Sequence, residues 1–196
     1  MLWKRIASAA VLIPIVAAAV YLGGLWLSAL VLAAACLATY EYLRLTDARR
    51  LDYFFGLAWV VALAADGRGP SLGLLPWCLA LGLIASLTAE VFRHNAPDSL
   101  RHWALTTAGS LYIGFLASHF ARLRQLPQGT EWLVLALLGT WVCDSAAYFV
   151  GTAWGRRCFF PAISPKKSWE GALGGLAGGV LAVILLGRWL VSLSWA

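Results

Sequence analysis

The sequence predicts an all-α fold: a polytopic integral membrane bundle of about seven transmembrane helices, read as one membrane domain over residues 1–196. Three observations carry that expectation. Of the 196 residues, 61% are hydrophobic and only 12% charged, against roughly 45–50% and about 25% in soluble domains. Mean hydropathy is +0.77, and uncharged runs long enough to cross a bilayer recur along the chain. Eleven Trp, six Tyr and eight Phe complete the pattern, since aromatic rings are at home at membrane interfaces. A soluble globule is excluded. Disorder is excluded as well, because it requires low hydrophobicity and high charge.

A spanning helix takes about 20 apolar residues. The first run is Ile6 to Leu22 and the second Leu25 to Tyr40, parted only by Gly23 and Gly24, which read as a tight hairpin. Five more follow: Tyr53 to Ala65, Leu72 to Phe92, Trp103 to Phe120, Trp132 to Val150, and Gly171 to about Leu186. The third is the shortest. Thirteen residues reach only about 20 Å of a core near 30 Å, so it is expected to be partly re-entrant or packed among longer helices.

Lys and Arg collect on the cytoplasmic side of membrane proteins. With the N-terminus inside, eleven of the fifteen basic residues fall on that side: Lys4, Arg5, Arg44, Arg49, Arg50, Arg93, Arg101, Arg156, Arg157, Lys166 and Lys167. Arg68, Arg122, Arg124 and Arg188 fall outside. A multi-pass cell-membrane protein with a cytoplasmic N-terminus and a cytoplasmic 151–170 loop is therefore expected. The net charge of +6 then reflects topology and attraction to anionic headgroups, and nucleic acid is not an expected partner. Lys4 and Arg5 before an apolar run, with Ala17-Ala18-Ala19, also fit a cleavable signal peptide. The second run, following almost at once, favours a retained hairpin.

Charged residues inside the apolar runs show where chemistry could sit. Glu41, Glu90 and Glu131 lie at run ends, where a carboxylate reaches water. Asp144 is different, because no other charge lies between Leu133 and Gly155. A carboxylate at a helix centre costs at least about 2.5 kcal/mol on insertion scales, so such residues face a cavity, a partner or a substrate. Pairing to Arg156 is the plain structural alternative. Asp144 and Tyr148, four apart, share a helix face.

The loop from Gly151 to Gly171 is the densest patch of positive charge, with Arg156, Arg157, Lys166 and Lys167. Pro165 should keep Ser164 extended, and Ser168 should cap the last helix. A helix start with free N–H groups beside two lysines suits a polyphosphate, although topology alone also enriches such loops in cations. Gly171, Gly175 and Gly179, with Gly174 and Gly178 offset by one, predict close helix packing. Cys36, Cys78, Cys143 and Cys158 lack zinc or disulfide spacing and read as buried apolar thiols. His94, His102 and His119 fit no metal spacing.

The stretch Asp144-Ser145-Ala146-Ala147-Tyr148, Gly151, Gly155, Ser164-Pro165-Lys166-Lys167-Ser168-Trp169-Glu170-Gly171 and Gly174-Gly175 resembles bacterial phosphatidate cytidylyltransferases. Their usual form is D-[ST]-x-A-Y, a variable loop, then S-P-K-K-[ST]-W-E-G and a glycine pair. Leu2, Arg5, Ile13-Pro14, Gly23-Gly24, Tyr40-Glu41-Tyr42 and Leu45 extend the likeness toward the N-terminus. The resemblance implies a bacterial inner-membrane nucleotidyltransferase in phospholipid biosynthesis. It would join CTP to phosphatidic acid, releasing CDP-diacylglycerol and pyrophosphate with the help of Mg²⁺, among membrane lipids and as a homodimer.

On that resemblance, Asp144, Lys167 and Glu170 are the catalytic set. Lys166 and Lys167 would contact phosphates with Arg156 and Arg157, while Ser164 and Ser168 set the loop and the helix start. Glu170 would orient a lysine or a metal-bound water, and Asp144 would face the polar cavity, with metal ligation a further role. Members of the family typically continue with G-D-x-x-x-S-x-x-K-R, K-D, P-G-H-G-G and D-R-x-D, whose carboxylates resemble the main metal ligands. The chain reads Ser194-Trp195-Ala196 where these would follow, so an incomplete copy with little turnover of its own is expected. Two alternatives stay open: a CTP-dependent polyprenol or phytol kinase, and a transporter using Asp144 as a relay.

Overall fold

The computed structural model describes residues 2–66, 74–92, 98–162 and 164–191. Arg68, Leu72, Arg93, His94 and the 194–196 segment named above lie outside the described residues. The chain divides into two compact units, Met1–Leu126 and Pro127–Ala196.

The first unit holds α1 (Leu2–Leu22), α2 (Gly24–Leu45), α3 (Arg50–Asp66), α4 (Leu74–Val91) and α5 (Ser99–Gln125). The predicted glycine hairpin is present: α1 stops at Leu22, and Gly23 and Gly24 take φ of 63° and 49°. Only glycine occupies that region freely, which lets two long helices meet without a loop. The third run is longer than its apolar stretch suggests. It starts at Arg50 and has 17 residues, about 26 Å.

α5 organises this unit through small residues. Thr106, Thr107, Gly109, Ser110, Gly114, Ser118 and Ala121 are all buried on it. Gly109 lies under the Tyr42 ring, and the Tyr42 hydroxyl donates to Leu105 O at 3.1 Å. A Cβ added at Gly114 would come within 3.1 Å of the Val60 Cα, so α3 crosses α5 almost backbone to backbone. Close approach of this kind replaces the hydrophobic drive that lipid removes. Tryptophans tie in α4: Trp59 Nε1 donates to Cys78 O at 2.9 Å and Trp103 Nε1 to Ser86 Oγ at 3.0 Å.

One end of the unit is polar inside. Asp52, with a side chain 4% exposed, accepts the Arg49 N–H at 2.8 Å and lies 3.7 Å from His102 Nδ1. Arg49 pairs in turn with Glu90 at 4.0 Å. Glu90 was expected to reach water from its helix end. Its side chain is instead 9% exposed, because the turn after α2 brings Arg49 over the end of α4.

The second unit is simpler. α6 (Gly129–Trp154) and α7 (Trp169–Leu190) are joined by a two-stranded antiparallel ribbon of β1 (Cys158–Phe160) and β2 (Ser164–Ser168). The glycine pattern acts as predicted. A Cβ at Gly175 would sit 2.8 Å from the Ala147 Cβ and 3.0 Å from Cys143 O, and one at Gly171 would be 2.9 Å from Ala147 O. Gly174 faces Val150 and Gly178 faces Ala146 in the same manner.

Among the described residues, α2, α6 and α7 are long and apolar enough to cross a membrane. Their outward faces remain apolar: Leu173, Leu176 and Leu185 on α7 are 61%, 62% and 68% exposed. Such faces are stable only with lipid or protein as their solvent. All four cysteines are free. None is buried as expected: Cys36, Cys78 and Cys143 are only partly covered, and Cys158 is exposed. It stands on the ribbon, which has no core behind it.

Candidate functional site

The residues singled out from sequence between Arg156 and Glu170 fall on one small structure. α6 ends at Trp154 and is capped by Gly155, whose N–H donates to Gly151 O at 3.1 Å. A side chain at Gly155 would collide with Gly151 O and with Ser168 Oγ, so the chain can turn back toward α7 only at a glycine. The ribbon then carries the chain out and returns it at Ser168. Pro165 and Ser164 lie in β2, extended as predicted.

Ser168 is the helix cap. Its backbone is extended, and its hydroxyl accepts the Gly171 N–H at 3.2 Å. Trp169 N–H donates to Arg157 O at 2.9 Å. The expectation of a helix start with free donors is therefore corrected. The Trp169 and Gly171 donors are already engaged within the protein, because the ribbon folds back onto the helix end.

Glu170 closes the same corner. Its Oε2 accepts the Arg156 N–H at 3.1 Å and the Arg157 N–H at 3.3 Å. Among the described residues it pairs with neither lysine, so the structure gives the carboxylate a backbone-holding role. The resemblance implies that it orients a lysine or a metal-bound water.

The register of the ribbon presents the lysines. Cys158 stands opposite Ser168 and Phe160 opposite Ser164, so β2 uses four residue steps where β1 uses two. The surplus bows β2 outward at Pro165-Lys166-Lys167. Bulges of this kind often re-aim side chains beside functional sites. Lys166, Lys167, Arg156 and Arg157 are all exposed. Among the described residues none of the four forms an ion pair. Four exposed cations, two on β2 and two in the turn before β1, form an electrostatic seat for a polyanion.

Asp144 is not part of this cluster. It is exposed on α6, next to the stripe of Cys143, Ala146, Ala147, Val150 and Gly151 that α7 covers. Among the described residues it has no ion pair, and the Arg156 pairing is not formed. It lies seven residues, about 10 Å along the helix, before Gly151, which is at the level of Ser168. Tyr148 shares its exposed side. Sequence reasoning missed the double use of Glu170 Oε2 and the bowed strand, since both depend on pairing across the ribbon.

This arrangement has relatives. A family model described as Cytidylyltransferase family matches residues 3–195. The chain belongs to this family. The cytidylyltransferase chain is 30% identical to a phosphatidate cytidylyltransferase of Pseudomonas aeruginosa over 182 residues, covering 90% of this chain and 67% of the relative. A phosphatidate cytidylyltransferase of Brucella suis is 32% identical over 191 residues, 94% of this chain and 67% of the relative. One from Bacillus subtilis is 40% identical over 80 residues, 40% of this chain and 29% of the relative. The cytidylyltransferase chain thus spans about two thirds of the length of the first two relatives. Membership makes it a nucleotidyltransferase and does not favour the lipid kinase or the transporter.

Proposed function

We propose that this chain carries the nucleotide-gripping part of a phosphatidate cytidylyltransferase, acting on CTP and phosphatidic acid at the inner face of a bacterial cell membrane. In that reaction a phosphate oxygen of the lipid attacks the α-phosphorus of CTP. The bond from the α-phosphorus to the bridging oxygen breaks, and pyrophosphate leaves with that oxygen, giving CDP-diacylglycerol. The protein's work in such a transfer is to position two anions and to offset the charge that develops.

One observation supports this reading above the others: the bowed β2 strand, with Lys166 and Lys167 exposed beside Arg156 and Arg157, lies between two helices long enough to span a membrane. The ribbon can meet a water-borne triphosphate and a membrane-borne phosphate at one surface. Lys166 and Lys167 would hold the phosphates as mobile point charges, and Arg156 and Arg157 would bind them through two N–H groups each. Glu170 and Ser168 keep the ribbon seated on α7. This requires a cytoplasmic ribbon, as the basic-residue count implies.

Mg²⁺ is expected from the resemblance. Among the described residues no group of three His, Cys, Asp or Glu side chains stands close enough to hold a metal, and Glu170 Oε2 is engaged by backbone. Among the described residues no metal site is assembled. Asp144, exposed and without an ion pair among the described residues, keeps the role of a carboxylate facing substrate.

The deciding experiment is equilibrium binding of radiolabelled CTP to the detergent-purified chain. Lys166→Ala/Lys167→Ala is expected to weaken binding at least about tenfold, as for loss of charge-assisted phosphate contacts. Unchanged CTP binding in the double variant would remove the ribbon from the nucleotide site.

A further inference from the structure

The two strands of the ribbon differ in chemistry. β1 carries Phe159 and Phe160, whose rings meet edge to face at 4.7 Å, and Phe159 also meets the Trp169 ring at 4.3 Å. This aromatic set is not buried by the protein. Phe160 is 54% exposed, Trp169 50% and Trp154, at the end of α6, 68%. β2, on the other side of the pairing, carries Lys166 and Lys167.

Rings left open in this way are poorly suited to water and well suited to the headgroup layer of a bilayer. The location agrees. The ribbon joins two antiparallel helices that can each cross a membrane, so it leaves and re-enters the bilayer at a single face. The four cations add the charge that an anionic leaflet attracts.

We infer that β1 is the lipid-facing edge of the ribbon: Phe160, with Trp154 and Trp169, seats in the headgroup layer and takes up the anionic lipid substrate. β2 faces the nucleotide. The two substrates, one confined to the membrane and one to water, then approach the ribbon from opposite strands, and neither has to leave its own phase. The identity of the lipid rests on the reading proposed above. The membrane seating of β1 does not.

The test begins with a chain whose four cysteines are replaced by Ala, reconstituted into phosphatidylcholine vesicles with and without phosphatidate. A nitrobenzoxadiazole label is placed at Phe160→Cys or, separately, at Lys167→Cys. The label at 160 is expected to emit blue-shifted light, to be quenched by a spin label carried at headgroup depth, and to resist aqueous iodide. The label at 167 is expected to respond in the opposite sense. Equal access of iodide to both positions overturns the seating.

The second arm measures equilibrium binding of long-chain phosphatidate in mixed micelles and of radiolabelled CTP to the chain. Phe159→Ser/Phe160→Ser is expected to weaken phosphatidate binding about tenfold, the loss of roughly one buried ring. CTP binding should stay unchanged, and Phe160→Trp should bind phosphatidate like the parent. Parallel loss of both ligands, or no loss of phosphatidate, overturns the division between strands. Failure of the lysine variant to alter CTP binding would count against the nucleotide site alone, leaving the label result to be judged by itself.

Discussion

Glu170 holds Arg156 by its backbone: the carboxylate oxygen Oε2 accepts the Arg156 N–H at 3.1 Å, and the same oxygen takes the neighbouring N–H of Arg157 at 3.3 Å. A side chain on the first turn of α7 therefore fixes the peptide that leaves α6. The arginine side chains are kept out of this contact and stay exposed for another anion. Glu170→Ala should loosen the turn, making tryptic cleavage after Arg156 and Arg157 several-fold faster in the detergent-solubilised chain. Glu170→Gln, which keeps one acceptor oxygen, should fall between. Equal cleavage rates in all three would show that the turn is held by other bonds.

Packing of α7 on α6 sets a second expectation. Gly175 approaches Ala147 and Cys143 so closely that even a methyl group would meet atoms at 2.8 and 3.0 Å. Gly175→Leu should lower unfolding stability by about 1–3 kcal/mol, the usual cost of overpacking. Ala177→Leu, on the exposed side of the same helix, should change little. The comparison is a detergent-denaturant titration followed by circular dichroism, and an equal response of both variants would contradict the packing described.

The polar end of the first unit gives a third. Asp52 is buried, accepts the Arg49 N–H and faces His102. Removing one member of a buried pair leaves the other uncompensated, so Asp52→Ala should cost about 3 kcal/mol. Asp52→Asn, which keeps an acceptor for the Arg49 N–H, should lose about 1 kcal/mol. The same titration measures both. A stability loss no larger for Ala than for Asn would mean that the hydrogen bond from the Arg49 N–H contributes nothing.

Orientation is tested on β2, whose Lys166 is exposed. With all four cysteines replaced by Ala, a membrane-impermeant maleimide should label Lys166→Cys in inverted membrane vesicles and not in intact cells. Labelling from outside would put the ribbon where no CTP reaches it.

Much of this architecture was legible before any coordinates. Apolar runs mark helices because a bilayer leaves no other partner for backbone N–H and C=O groups, and each of the seven runs is helical over its described residues save Phe92, which is in a turn. Gly23-Gly24 marks the hairpin, the glycines from Gly171 to Gly179 mark a close helix contact, and Ser168 marks a cap. Each of these reports on nearby atoms, and nearby atoms are what a linear pattern encodes. The burial of Glu90 was misread for the opposite reason: its partner Arg49 is forty-one positions away, and nothing local to Glu90 announces it.

The amino-acid order alone therefore determined the membrane class, the helix inventory and the cationic, S-P-K-K-bearing segment, since composition and short-range periodicity are properties of the chain itself. Tertiary structure decided what those residues do to one another. It engaged the Trp169 and Gly171 N–H groups with Arg157 O and Ser168 Oγ, set Glu170 against the backbone N–H groups of Arg156 and Arg157, and placed Asp144 apart from the cations. These outcomes depend on how a two-stranded ribbon is registered and where one helix lies against the next. Such pairings between residues distant along the chain are chosen only when the whole unit packs.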